Sequence, residues 1–370
     1  MKRLNIAIIG QGRSGRDIHG AFFNSDANGG RFKVVAAADE IAERRQRAAA
    51  EYGSDCAVYS DWRSILDRKD IDLVINSTFS YEHYPVTLEL LERGFNVVTE
   101  KPAAMRADEV RRLIDKASEK GVMYNVFQQS RFTPYFDQVK KVIASGVLGR
   151  IIEIDIAFDG FSRRWDWQTL QCMGGGSLYN TGPHPLDQAL NLLDMYDVMP
   201  GEGLNVFCKM DRVNTWGDAE DYVKLILTAK DKPLIDLMIS SCNPYPCFTY
   251  RIQGQYGGLK GGMAEMEWKW YDPTEAPAQK LIREPLSNEE GMPKYCGETL
   301  KWHSDSWSGS GSAAFNSAVD RYYTMIYEHL VNGAPLEIHA GQVVQQIAVI
   351  EEAHRQNPLS RDFIQPETEE

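Results

Sequence analysis

Leu4-Asn5-Ile6-Ala7-Ile8-Ile9 runs without a break into Gly10-Gln11-Gly12-Arg13-Ser14-Gly15. The first six residues are almost continuously apolar, the pattern of a strand buried in the middle of a parallel sheet. The glycines follow G-x-G-x-x-G spacing, and a helix is predicted after them. Such glycines permit a tight turn, close approach of backbone to a pyrophosphate, and close packing of helix on strand. The helix N-terminus adds free N–H groups and a positive dipole end. Alone, this spacing also describes a Gly-rich turn with no ligand. The segment 32–38 decides the matter: it reads as a second strand and ends in Asp39, about where the fingerprint expects an acid for the adenosine ribose hydroxyls. A carboxylate there accepts hydrogen bonds from a diol and repels a 2′-phosphate. Glu40 adds negative charge, and Arg44 and Arg45 fall on the next predicted helix. The expected cofactor is therefore NAD rather than NADP, held by Gly10, Gly12, Arg13, Ser14, Gly15 and Asp39.

The pattern then alternates. Helices are predicted at 41–52, 61–68, 83–93 and 106–119, and strands at 71–76, 95–99 and 122–127. This is a doubly wound parallel sheet. Two strands end in polar turns, Ser77-Thr78-Phe79-Ser80 and Glu100-Lys101-Pro102. Ligands in open α/β sheets lie outside the carboxyl ends of the strands, so Lys101 is placed in the crevice. Pro102, with no N–H and a fixed φ, ends the ladder. An ordinary surface Glu-Lys pair is the competing account of the tripeptide.

Beyond residue 130 the order changes. A helix at 134–145 leads to strand candidates at 151–156, 204–210, 221–228, 233–240 and 248–254, with few helices between, which indicates an antiparallel sheet. The stretch 272–314, with four prolines and a Ser-Gly-Ser-Gly-Ser end, reads as irregular, and helices at 315–332 and 340–355 close the chain. It reads either as a wrap around the substrate side or a neighbouring subunit, or as a surface excursion. At 370 residues the chain exceeds one compact core and divides into residues 1–127 and 128–370.

A net charge of -12 argues against a nucleic-acid partner. No apolar stretch is long enough to span a bilayer. Six scattered cysteines without a C-x-x-C pair favour reduced, buried thiols over disulfides or a metal site, and no signal peptide is recognised. The expectation is a cytoplasmic protein with no metal.

The second chemically loaded stretch is Gly174-Gly175-Gly176-Ser177-Leu178-Tyr179-Asn180-Thr181-Gly182-Pro183-His184-Pro185-Leu186-Asp187. On a single helix, Asn180 and His184 would share a face at i, i+4 spacing. Asp187 would sit near enough to orient the imidazole, which titrates near neutrality and exchanges protons. Upstream, Arg164, Trp165, Trp167 and Gln168 have the composition of a carbohydrate surface, where indole faces cover a sugar ring and polar groups fix its hydroxyls. An aromatic loop that merely supports the sheet accounts for them equally well.

The glycine motif, the Glu100-Lys101-Pro102 tripeptide and the Gly182-x-His184-x-x-Asp187 segment, in this order, resemble the Gfo/Idh/MocA oxidoreductase family. The resemblance covers essentially the whole chain. It implies a Rossmann domain followed by an α/β domain with a large open, mostly antiparallel sheet, bound NAD or NADP, and homodimers or homotetramers. It adds Thr78, His83, Glu100 and Lys101 to the cofactor side, with Phe79 and Ser80 replacing the family's Pro and Asn. Many relatives carry Asp where this chain has Asn180, and an amide cannot take a proton. The Arg-Trp-Asp-Trp-Gln and Asn-Thr-Gly-Pro-His-Pro stretches further resemble a subgroup that oxidises glycosides at C3.

The expected activity is NAD-dependent oxidation of a secondary hydroxyl of a sugar, glycoside or cyclitol to a ketone. His184 is the expected base, Lys101 the group on the reacting oxygen, and Asn180 the holder of a neighbouring hydroxyl. Arg164, Trp165 and Trp167 complete the expected substrate surface. Two rivals stand beside this: a hydrolase or lyase that recycles its NAD through a transient ketone, and a non-catalytic dinucleotide sensor.

Overall fold

A computed structural model describes residues 2–196 and 198–362. The first sheet consists of β1 (Leu4–Ile9), β2 (Phe32–Ala38), β3 (Ala57–Tyr59), β4 (Leu73–Asn76), β5 (Val97–Thr99) and β6 (Tyr124–Val126). Its order is β3-β2-β1-β4-β5-β6, and every pairing is parallel. The order reverses between β1 and β4, which places a crevice at their carboxyl ends. The interior strands are apolar throughout because both faces are covered: Ile6, Ala7, Ile8, Leu73, Val74 and Ile75 have no more than traces of exposed surface. β3 was not expected; it is a three-residue edge strand, too short to show a period. The helix expected over 61–68 shrinks to one tight turn, Trp62–Ile65, capped by the Asp61 carboxylate.

The second sheet holds β7 (Ile151–Asp159), β8 (Leu204–Asp211), β9 (Tyr222–Ala229), β10 (Leu234–Ser240), β11 (Tyr250–Gly254), β12 (Gly257–Gly261), β13 (Glu265–Tyr271) and, beyond the small hairpin of β14 (Leu286–Ser287) and β15 (Pro293–Lys294), β16 (Trp302–Ser308). The order is β16-β13-β12-β11-β7-β10-β9-β8, antiparallel except for the β7–β10 pair. The stretch 272–314 is therefore not irregular throughout. β16 pairs with β13 from Tyr271↔Trp302 to Glu265↔Ser308. As an edge strand it alternates serines with half-buried His303 and Trp307, a weaker signal than an apolar run.

Helix Gly311–Asn332 returns to the first domain. Its Tyr322, Tyr323 and Ile326 join Ile6, Ile8, Phe22 and Phe32 in one buried cluster, with the Phe22 and Tyr323 rings stacked 4.8 Å apart. Helix Ala340–Gln356 packs under the second sheet, and its Glu351 carboxylate accepts from the Ala107 N–H. Cutting the chain at 127 thus divides the sheets but not the layers that cover them. All six cysteines are free, but Cys172, Cys247 and Cys296 are exposed rather than buried.

Candidate active site

At the end of β5 the chain turns inward through Glu100 and then through a cis Lys101–Pro102 bond. Glu100 is buried, with Oε1 3.1 Å from His19 Nε2 and Oε2 accepting from the Lys101 N–H at 3.1 Å. Burial opposes its charge, but the His19 hydrogen bond and the pull of His19, Lys101 and His83 prevail, holding the carboxyl down at about 2. His19 Nδ1 meets the Tyr323 hydroxyl at 2.6 Å, which ties the turn to helix Gly311–Asn332. The His83 ring is buried between two carbonyl oxygens, Pro102 O at 2.6 Å and Thr78 O at 3.2 Å. Glu100 and His83 therefore clamp the loops rather than offer surface to a cofactor. Thr78 is half-buried, its hydroxyl donating to Asn76 Oδ1 at 2.8 Å.

From Glu100 onward the lysine is free to cross the crevice. Lys101 Nζ donates to the main-chain oxygen of Asn180 at 2.7 Å. Asn180 ends the short helix Ser177–Asn180, and His184 lies in the first turn of the next, Pro183–Leu193. The expected single helix is thus broken at Thr181-Gly182. A Cβ on Gly182 would come within 2.2 Å of Leu178 O, so glycine is required for the break. Pro183, which lacks an N–H, starts the second helix. Burial lowers the Lys101 amine below its usual range, Glu100 opposing and Arg13 adding. Burial, then the Lys101 charge, lower His184 to about 3. His184 Nδ1 is enclosed without a protein hydrogen-bond partner among the described residues. Asp187 does not orient this ring. It is buried in a bidentate pair with Arg131, whose Nε donates to Oδ2 at 2.9 Å.

In the glycine loop, a Cβ on Gly10 would meet Ser77 O at 2.4 Å, and one on Gly15 would meet Gly10 O at 1.8 Å. Those two glycines are needed by the protein's own packing. Gly12 is not: among the described residues a Cβ there has only the Arg44 guanidinium near it, at 3.7 Å. This open ground at a helix start, beside exposed Arg13 and half-buried Ser14, fits a pyrophosphate. Asp39 caps the loop, Oδ2 accepting from the Gln11 N–H at 2.7 Å and Oδ1 from the Ile41 N–H at 2.9 Å. Arg44 folds back to it at 3.3 Å, so the end of β2 carries a cation as well as the expected acid.

The expected substrate aromatics separate. Trp165 is 77% exposed, whereas Trp167 is half-buried, edge-on to Phe79 at 4.9 Å, and joins the two domains across the crevice. Arg164 is engaged by Asp166 and Gln168. Asn180 Nδ2 donates to Gln168 O at 3.2 Å, which fixes this loop to the short helix.

Two buried acids escaped the sequence reading. Glu220 Oε1 accepts from the Leu178 N–H at 2.9 Å, and its main-chain oxygen accepts from Ser177 at 2.9 Å. Asp221 accepts three backbone N–H groups, from Val213, Asn214 and Thr215, at 2.9, 2.6 and 2.7 Å. Their signal was present: Asp218-Ala219-Glu220-Asp221 puts three acids just before an apolar strand.

Family models match this architecture in both halves. Residues 4–128 match the oxidoreductase family with an NAD-binding Rossmann fold, and residues 136–260 match the Gfo/Idh/MocA C-terminal domain. The chain belongs to the Gfo/Idh/MocA oxidoreductase family. Among family members, the scyllo-inositol 2-dehydrogenase (NADP(+)) IolW of Bacillus subtilis is 26% identical, over 98% of this chain and 96% of that one. The D-glucoside 3-dehydrogenase of Escherichia coli is 30% identical over 51% of this chain and 54% of its own. The fold matches the WlbA dehydrogenase of Bordetella pertussis, solved with NADH and UDP-GlcNAcA, with a TM-score of 0.72, 19% identity and coverage of 96% and 97%. The Gfo/Idh/MocA chain described here is thus an oxidoreductase with an NAD-binding Rossmann domain.

Proposed function

We propose that this protein oxidises a secondary hydroxyl of a sugar, glycoside or cyclitol to a ketone, with NAD preferred as hydride acceptor. The observation that carries this is the Lys101–Asn180 contact beside His184, which gathers an amine and an imidazole at the carboxyl ends of the first sheet. The names of two relatives, a glucoside 3-dehydrogenase and an inositol 2-dehydrogenase, support a ring hydroxyl as the target and C3 of a glycoside as the position to test first.

Gly10, Gly12, Arg13, Ser14 and Gly15 would hold the pyrophosphate, with Asp39 at the adenosine ribose. Bound NAD supplies the hydride acceptor, and the protein supplies geometry and electrostatics. The reacting hydroxyl must lose a proton as its carbon loses hydride. An imidazole held near 3 is neutral at working pH but a weak proton acceptor. His184 therefore accepts a hydrogen bond and orients the hydroxyl. Lys101, its amine lowered by burial, is the stronger candidate to take the proton and then stabilise the oxygen. This shifts the base expected at His184 towards Lys101. With its main-chain oxygen held by Lys101 and its Nδ2 donating to Gln168 O, Asn180 would meet a neighbouring hydroxyl through its side-chain oxygen. Trp165 supplies an exposed indole face.

The test is to mix the protein and NAD with sugars, methyl glycosides and inositols, following reduced cofactor and product mass. Ketone equal to NADH formed supports the proposal. A changed product without net NADH would favour the recycling hydrolase or lyase. NAD binding without turnover of any compound would favour the sensor.

A further inference from the structure

Beside Thr181, the residue after Asn180, lies an open cleft of about 640 Å³. Its walls are the end of β7, the loop 246–249 and the turn 261–265 between β12 and β13. Neither the catalytic groups nor the cofactor loop lines it. We propose that it is an aglycone subsite, built for a flat, uncharged, largely apolar group on a glycoside whose sugar ring lies at Lys101 and His184. The inference rests on the sugar-oxidising function proposed above and narrows its substrate class.

Position comes first. Thr181 lines the cleft and directly follows Asn180, whose main-chain oxygen holds Lys101, so the cleft wall starts one residue from the catalytic contact. Size follows: a cleft of this volume lies in the range that takes a drug-sized ligand. One sugar ring at the catalytic groups would leave it unused.

The chemistry selects the occupant. Phe158, Pro246, Phe248 and Met263 give apolar wall, while Thr181 and Thr249 give hydroxyls. Among the described residues the charged ones lining the cleft are Asp159 and Glu265, with no Lys or Arg. Arg251 lies over the Phe248 ring at 5.3 Å, but its guanidinium is committed to both oxygens of Asp155. A phosphate, nucleotide or carboxylate would meet two acids and no free cation, which disfavours sugar phosphates and nucleotide sugars. An aromatic or other apolar group would cover the Phe248 and Met263 surfaces.

The rim is fixed as well. Asn243 donates from Nδ2 to Asp159 and from its N–H to Gly160 O at 3.0 Å, which joins the 241–248 loop to the end of β7. Asn214 Nδ2 donates to Ser162 O at 2.9 Å, and the loop carrying it is anchored by Asp221. Phe161 and Tyr245, 60% and 82% exposed, stand on these tied loops. The backbone of these loops is held before a ligand arrives, which lowers the entropy cost of binding.

The test compares kcat/KM of the NAD-loaded protein for 4-nitrophenyl glucosides, methyl glucosides, free glucose and UDP-glucose, in both anomers of the glucosides. The aryl glucoside is expected to exceed the methyl glucoside by about tenfold, the effect of burying part of one ring. Phe248→Ala and Met263→Ser should each erode that advantage and leave the methyl glucoside rate unchanged. Equal rates for aryl and methyl glucosides, a preference for UDP-glucose, or variants that slow both glucosides alike would overturn the inference. If no compound is oxidised, the proposed function fails, and the cleft is judged by equilibrium binding read from tryptophan fluorescence. Tighter binding of the aryl than of the methyl glucoside, lost in Met263→Ser, would sustain the subsite. Equal binding would overturn it.

Discussion

Lys101 Nζ and the main-chain oxygen of Asn180 are 2.7 Å apart, so the lysine of the first domain is held by the backbone of the second. Lys101→Met keeps the apolar stem and removes the amine. Turnover should fall by about two or more orders of magnitude, the scale of one positioned catalytic group. The melting temperature should move little, because Glu100, His83 and their partners still clamp the turn. Near-normal turnover, or a protein that no longer folds, would count against the assignment.

Because the lysine binds the backbone at position 180, the side chain there can be varied without cutting the contact. Asn180→Asp places a negative charge close to the Lys101 amine, which raises its pKa. His184, now held at about 3, stays neutral over the working range and cannot set the acidic limb of kcat/KM in the unmodified protein. In the variant that limb should move to higher pH. Profiles measured with deuterated substrate, so that hydride transfer is followed, would show this. Superimposable limbs would refute the electrostatic coupling.

Asp187 is placed by the structure in a role that its sequence position did not suggest. It pairs with Arg131, and both are almost wholly buried. Removing one partner of a buried pair leaves the other charge stranded, so Asp187→Asn should cost about 3 kcal/mol of stability. Below its melting temperature the variant should keep kcat/KM within a few-fold. Thermal unfolding and steady-state rates together check this, and a rate loss as large as that of Lys101→Met would return Asp187 to the catalytic site.

The contrast between Lys101 and Asp187 shows how much was legible. Strand periods and the glycine spacing are local, and so were the first sheet, Lys101 and Asp39. The i, i+4 relation of Asn180 and His184 failed because the helix breaks at Thr181-Gly182, where a Cβ would clash with Leu178 O. The Asp187–Arg131 pair and the Glu220 contact to Leu178 join residues 56 and 42 positions apart, a distance no period reaches. β13 and β16 reveal themselves only as partners, since one mixes charge with tryptophan and the other is an exposed edge.

Arg44 lies 3.3 Å from Asp39, and under the proposed function cofactor choice would be a balance of these two charges. Asp39→Ser removes the acid and frees the guanidinium for a 2′-phosphate. The ratio of NAD to NADP affinity should then fall by about tenfold or more, one lost charge-assisted contact being worth that much. Arg44→Ala should move the ratio the other way. Calorimetric titration of each protein with both dinucleotides decides, and tighter NADP binding by the unmodified protein would contradict the NAD assignment.

His354 provides a test of the support beneath the site. Its Nδ1–H donates to Ile350 O at 2.9 Å, its Nε2 faces Glu220 Oε2 at 3.5 Å, and its ring stacks on Tyr179 at 5.0 Å. Burial opposes its protonation, but the nearby Glu220 carboxylate prevails and raises its pKa. A raised histidine stabilises the fold fully below its unfolded value of about 6.5, and that stability is lost as pH rises through the folded value. Glu220 in turn holds Ser177 and Leu178 at the start of the helix that presents the Asn180 oxygen to Lys101. His354→Gln should therefore lower the melting temperature at pH 6, and the difference from the unmodified protein should shrink by pH 9. The same variant should lose part of kcat/KM at pH 6 with little change in NAD binding, since the glycine loop is elsewhere. A melting difference that stays constant with pH would show that the Glu220–His354 pair contributes packing and not charge.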